Sequence, residues 1–241
     1  MALSAYHKRQ YASIYESTRG LLAFIDDLAP EIRTAHILDA ACGAGANAYH
    51  MLRRWPECRI TGVDFQEALL RSASEMLPAE LRPRCTYLPC DLLKLRERFS
   101  PDAFDVATLI QTLGCGQFGL DSYTEVLGAL TTVAKSWIFL NALFSDHRMD
   151  VTCTIHLHVP AEDYPSGQVT YTIFCLKHFT EVCKKLGVRE VISRDFEIPI
   201  DLPGPADGGL GTYTVKTADG RRLQFSGAVP MPWKFVALRL R

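Results

Sequence analysis

Ile37-Leu38-Asp39-Ala40-Ala41-Cys42-Gly43-Ala44-Gly45 is the stretch on which the reading of this chain turns. An apolar run ends in a carboxylate, two glycines stand two residues apart, and a helical pattern follows from Ala46 to about Trp55. That order predicts a strand, a tight turn and a helix N-terminus. Glycine in the turn lets the backbone approach a ligand closely, and the first turn of a helix offers unpaired N–H groups. Asp39 falls where the strand ends, so its carboxylate can accept hydrogen bonds from a ligand's ammonium group.

Two nucleotide sites share this outline. Gly43-Ala44-Gly45-Ala46-Asn47-Ala48 fits G-x-G-x-x-G/A, the dinucleotide fingerprint. On that reading the chain is an NAD(P)-dependent oxidoreductase. In a nicotinamide fingerprint, however, apolar residues usually run almost to the first glycine, and here a carboxylate stands four residues before it. An apolar run, an acid, any residue, then Ala-Cys-Gly-x-Gly resembles the first motif of class I S-adenosylmethionine-dependent methyltransferases. A non-catalytic S-adenosylmethionine-binding protein of the same fold is a third reading.

The neighbouring segments extend the resemblance. Arg59-Ile60-Thr61-Gly62-Val63-Asp64-Phe65 reads as a second strand ending in an acid, 19 residues after Gly45. A spacing of about 20 places a carboxylate on a ribose hydroxyl pair, whichever of the two cofactors is bound. Asp64 also suits the N-cap of the helical pattern that begins at Gln66. In Thr86-Tyr87-Leu88-Pro89-Cys90-Asp91-Leu92-Leu93, the resemblance sets Asp91 against the adenine ring, with backbone contacts from its neighbours Cys90 and Leu92. Asp91 as a loop cap is the alternative. Phe104-Asp105 followed by an apolar run to Leu113 resembles the family's fourth strand. Ile110, Gln111 and Thr112 then fall at its C-terminal edge, beside cofactor and substrate. Ala40, Gly43, Gly45, Phe65 and Tyr11 complete the cofactor contacts that the resemblance implies. The chain lacks the Asn/Asp-Pro-Pro-Tyr motif expected at strand four of enzymes that methylate adenine or glutamine.

Composition fits an enzyme of this kind. The chain has 241 residues, an apolar fraction of 48% and a formal net charge of −1. That allows one large domain, 1–241, with a buried parallel core, and no basic surplus advertises nucleic acid. No run of 18 apolar residues occurs, so no membrane span is expected, and the N-terminus has no secretory pattern. Eight cysteines are scattered without a C-x-x-C pair, which suggests reduced thiols in a cytoplasmic enzyme. No metal-ligand cluster stands out; His156 and His158 alternate on one strand, as pocket or core histidines do.

Residues 1–30 read as a helical lid. Ile14, Leu21, Ile25 and Leu28 recur at helical spacing over 5–29, with Tyr11, Tyr15 and Thr18 as a neighbouring stripe and Arg19 beside it. Helices are expected near 66–76, 124–133 and 176–186, the last closed by Gly187, and a fifth strand over 137–143. Val151 to Val159 and Gln168 to Cys175 alternate around a turn at 160–167. Arg189 to Leu202 reads as a sixth strand with a long continuation. Thr212 to Phe225 is a hairpin about Ala218-Asp219-Gly220, and Trp233 to Arg239 is the last strand.

The resemblance implies an α/β, seven-stranded Rossmann-like methyltransferase sandwich whose last strand is antiparallel. β-Hairpin insertions at 144–175 and 203–228 follow strands five and six, on the edge where ligands bind. The expected cofactor is S-adenosylmethionine and the expected partner a small-molecule methyl acceptor. Tyr15, Arg19, Asn141, His156 and Tyr171 are the candidate acceptor contacts. His147, with Asp146 beside it, is the candidate general base, because imidazole titrates in the useful range.

Overall fold

The computed structural model describes residues 5–116, 118–158, 167–206 and 209–241. Two helices lead, α1 (Ala5–Ala12) and α2 (Glu16–Leu28), followed by β1 (His36–Ala40), α3 (Ala46–Arg54), β2 (Arg59–Asp64), α4 (Glu67–Met76) and β3 (Cys85–Pro89). Next come α5 (Leu95–Arg98), β4 (Phe104–Ile110), α6 (Tyr123–Val133) and β5 (Ala134–Ser145). The hairpin β6 (Val151–His156) and β7 (Gln168–Cys175) leads into α7 (Leu176–Lys185) and β8 (Glu190–Asp195). The chain ends with β9 (Thr212–Lys216), β10 (Arg222–Ser226), β11 (Val229–Pro230) and β12 (Trp233–Arg239).

The main sheet runs β3-β2-β1-β4-β5-β12-β8. Its pairs are parallel except that β12 lies antiparallel to both β5 and β8. The order reverses at β1, with β2 on one side and β4 on the other. An α/β sheet opens a crevice at such a switch point, beyond the carboxyl ends of its strands.

Strand alternation sorts the core. Leu38, Ala40, Ala107, Leu109, Leu140 and Ala142 pack with α6 and α7 on one face. Ile37, Val106, Phe139 and Phe235 pack with α2 and α3 on the other. On that second face α2 buries Leu21, Leu22, Phe24 and Ile25. Each such side chain contributes about 1.5–3 kcal/mol.

Three expectations are corrected here. The N-terminal arm is not one helix: Tyr15 is an extended N-cap (φ −72°, ψ 149°), so 13–15 separate α1 from α2 and the Tyr11–Tyr15–Thr18 stripe is broken. Strand five is longer than 137–143, because Phe144 and Ser145 find parallel partners in Phe174 and Cys175 of the hairpin; the insertion therefore begins at 146. The sixth strand stops at Asp195, where the main chain of Phe196 makes its last bond to Trp233. β6 pairs with β7 and β9 with β10, both antiparallel, and β6 ends at His156, short of the expected Val159. The expected turn at 160–167 lies outside the described residues, apart from Gly167.

The insertions build a satellite core of Leu143, Val169, Tyr171, Ile173 and Met231. The loop after β4 is stitched to it: Thr172 N–H donates to Gly114 O (2.7 Å) and Gly116 N–H to Thr170 O (3.3 Å). The first hairpin is thus fastened at the carboxyl edge of β4 and β5.

Candidate cofactor site

The turn after β1 is held in an unusual backbone. Ala41, Gly43 and Gly45 all have positive φ (54°, 54° and 82°). Main-chain bonds close it, from Cys42 N–H to Val63 O and from Gly45 N–H to Cys42 O (both 2.9 Å). The two glycines serve different neighbours. A Cβ built on Gly43 meets nothing within 4 Å, so the space above it is open. A Cβ on Gly45 would lie 2.9 Å from both Ala73 Cβ and Tyr87 Cζ. The same Tyr87 ring would meet a Cβ on Gly62 at 2.7 Å. Gly45 is therefore required by packing as well as by its φ, whereas Gly43 is required by its φ alone and has open space above it. The sequence reading missed Tyr87, whose signal was a bulky ring on β3 beside a strand glycine on β2.

Two acids flank this turn. Asp64 is 6% exposed and already accepts Gly43 N–H and Gln66 N–H, one on each oxygen at 2.9 Å. It fixes the turn, but the N-cap of α4 is Gln66, without a side-chain cap bond, and not Asp64 as expected; each Asp64 oxygen keeps a lone pair. Asp39 is buried (1%). Its Oδ1 accepts from Thr108 Oγ1 at 2.9 Å, while Oδ2 has no partner among the described residues. Burial pushes its carboxyl up to about 7; the Thr108 hydrogen bond opposes the shift and the nearby Asp64 charge adds to it.

The remaining predicted cofactor residues converge on the same edge. Phe65 is 58% exposed directly after Asp64, a free aromatic face. Asp91 caps the short helix at 92–94 through Leu93 N–H (3.0 Å). Cys90 N–H donates to Asp64 O (3.0 Å). The side chains of Ala40 and Leu92 are buried in the core, which leaves their backbone for a ligand. Ile110 ends β4, Gln111 follows in a left-handed conformation (φ 55°), and Thr112 Oγ1 folds back onto Ile110 O (3.1 Å). Tyr11 ties α1 to the turn by donating its hydroxyl to Ala44 O at 2.7 Å.

The acceptor candidates divide. Asn141 is buried and pairs with Ile110 across β5 and β4, and its carbonyl accepts Gln111 N–H at 2.8 Å. Tyr171 is buried in the satellite core. Tyr15 is half-buried at the α1–α2 break, and Arg19 is 61% exposed and paired with Glu16 at 3.4 Å. His156 is corrected: Ile155 and Leu157 point into the satellite core, so alternation turns His156 outward, where it meets Gln168 Nε2 at 3.3 Å. Asp146 is corrected too. It pairs with Lys234 (3.4 Å), the residue whose strand partner Ala142 packs with α6 and α7, on the face away from Asp39. Five residues past Asn141 is also about 16 Å along an extended strand. His147 follows on the exposed turn, so neither residue stands at the edge where β4 ends.

Similarity to known proteins agrees with this geometry. Residues 37–136 match the family described as "Methyltransferase domain". A trans-aconitate 2-methyltransferase of Azoarcus sp. (strain BH72) is 35% identical over 83 residues, 32% of this chain; the match spans 31% of that relative's length. A solved S-adenosylmethionine-dependent methyltransferase from Methanosarcina mazei superimposes with a TM-score of 0.57 at 12% identity, covering 86% of this chain and 92% of that one. The [4+2]-cyclase SpnF superimposes with a TM-score of 0.53 at 18% identity, covering 74% and 60%. The chain has the class I, Rossmann-like methyltransferase fold, and its motif-bearing segment, 37–136, matches the methyltransferase-domain family.

Proposed function

We propose that this protein transfers a methyl group from S-adenosylmethionine to an oxygen, nitrogen or carbon nucleophile of a small-molecule metabolite. The observation that carries the reading is the unpartnered, buried Asp39 Oδ2 beside a turn left open above Gly43. An ammonium group satisfies the one, and only a ligand's close approach uses the other. The remaining lone pairs of Asp64 suit a ribose diol, and Phe65 offers a face to a base. Bound S-adenosylmethionine would supply an electrophilic methyl group on a sulfonium.

The chain's own part is positioning. Asp39 and Asp64 fix the two ends of the ligand, while Tyr11 and Thr18, which bonds Asn47 at 3.2 Å, hold the N-terminal arm over the turn. Alignment of this kind can be worth about 7–11 kcal/mol. We assign no base to Asp146 or His147. The name of the Azoarcus relative makes a small carboxylic acid one acceptor to try. Because a [4+2]-cyclase shares the fold, methyl transfer has to rest on the site rather than the architecture.

Incubation with methyl-labelled S-adenosylmethionine and a panel of small acids, phenols and amines tests the proposal. Formation of S-adenosylhomocysteine with label in the acceptor supports it. Tight cofactor binding with no transfer to any acceptor favours the non-catalytic reading, and reduction of NAD or NADP the oxidoreductase.

A further inference from the structure

A second buried acceptor lacks a partner: Oδ1 of Asn141, in a residue only 1% exposed. Its orientation is fixed. Asn141 Nδ2 donates to Lys234 O at 3.2 Å, and a flipped amide would set oxygen against that carbonyl oxygen. The unmet atom is therefore an acceptor that requires a donor.

Its place in the sheet says where the donor comes from. Asn141 pairs with Ile110 on one side and Phe235 on the other, at the level where β4 ends. Its strand neighbour two residues back, Phe139, and its cross-strand partner Phe235 both pack on the α2–α3 face, the face that Asp39 and Thr108 share by alternation. Phe139 is level with Thr108, which is level with Asp39. Asn141 thus stands two strands across and two residues beyond Asp39, about 12 Å away. The satellite core closes the far side through Leu143. A ligand anchored at Asp39 by its ammonium group reaches toward Asn141 with its other groups, and the molecule that meets it arrives there.

We propose that Asn141 Oδ1 selects and orients the methyl acceptor, and that the acceptor presents an O–H or N–H to it. This rests on the methyltransferase reading above. An ionised carboxylate at the same place would set oxygen against oxygen in a buried site, and each unmet buried polar atom is costly. The site is thereby tuned for a hydroxyl or amine and against a bare carboxylate.

The test uses three probes that share a ring and differ in the reacting group: phenol, benzylamine and benzoate. Each is titrated into the purified protein saturated with S-adenosylhomocysteine, so no turnover is needed. The expected result is binding of phenol or benzylamine, with benzoate weaker by about tenfold or more. Asn141→Leu should weaken the bound probe by about tenfold while S-adenosylhomocysteine affinity stays within about threefold of wild type. Asn141→Asp provides a second arm. When protonated by burial it can donate to Lys234 O and keep a carbonyl oxygen free. It should therefore bind the probe at pH 6 and lose it by pH 8, with S-adenosylhomocysteine affinity following wild type over that range.

Benzoate bound as well as the other two, or none of the three bound, overturns the inference. So does probe affinity in both variants equal to wild type, or loss of probe and S-adenosylhomocysteine together, which assigns Asn141 to packing alone. Failure of the wild type to bind S-adenosylhomocysteine at all removes the methyltransferase reading itself.

Discussion

On the proposed reading, Asp39 couples ligand binding to a proton. Its carboxyl, pushed up to about 7 by burial, is partly protonated in the free protein near neutral pH. An ammonium partner favours the ionised form, so binding releases a proton below that value. Affinity for S-adenosylhomocysteine should then fall about tenfold between pH 8 and pH 6. Asp39→Asn should bind weakly and show no such slope, which calorimetry across pH would reveal. The linkage to folding has the opposite sense. A carboxyl whose folded value lies above its unfolded one stabilises fully below the unfolded value, and that stability is lost as pH rises toward 7. Asp39→Asn should therefore melt higher than wild type at pH 8 without ligand. The two glycines differ in what their loss removes. Gly43→Val should remove ligand affinity and cost about 1–3 kcal/mol of stability through backbone strain alone, since φ is 54° there and no neighbour is met. Gly45→Ala should cost about 1–3 kcal/mol of stability, because Tyr87 and Ala73 stand where its Cβ would go. The glycine pair was legible in the sequence, but Tyr87 was not, since only β2–β3 register lays its ring across Gly62.

At the scale of elements, α1 is docked by polar contacts more than by burial. Tyr11 reaches Ala44 O, His50 Nε2 meets Gln10 O at 2.8 Å, and the Tyr11 and Tyr49 rings lie 5.3 Å apart. Tyr11→Phe loses one hydrogen bond, worth about 1 kcal/mol. It should raise amide exchange over α1 and speed S-adenosylhomocysteine release, leaving the global melting point nearly unchanged. Equal exchange in the two proteins would show that α1 is held by other contacts. The break at 13–15 was not legible, because Ile14, Leu21 and Ile25 keep helical spacing across it. The register of β5 was likewise hidden: its last two residues find their strand partners in a hairpin about thirty residues later, and Phe144 N–H donates to Pro232 O. That extension carries Asp146 and His147 away from the ligand edge. His147→Ala should accordingly retain turnover within about twofold, since it removes neither a base nor a contact. A loss of about 10² or more would restore the base to this turn.

For the whole molecule, the motif order from 37 to 113 was enough to place β1 to β4, because each strand ends at or beside a residue proposed to line the crevice: Asp39, Asp64, the Cys90–Asp91 pair and Gln111. The return through β12 and β8 was implied by the resemblance, and the two hairpins were legible in alternation and turn residues. The acceptor side was poorly legible, since it is built from contacts between insertions and sheet that no local pattern encodes. His156 faces outward and Asp146 lies on the opposite face for that reason. The central claim, an S-adenosylmethionine site built over Asp39, Gly43 and Asp64, is tested most directly by calorimetric titration of the wild type and Asp64→Ala with S-adenosylhomocysteine, NAD and NADP. The account predicts one-site binding of S-adenosylhomocysteine alone, weakened by about 2–4 kcal/mol in Asp64→Ala as charge-assisted bonds are lost. Binding of a nicotinamide cofactor without S-adenosylhomocysteine, or equal affinity in the two proteins, would contradict it.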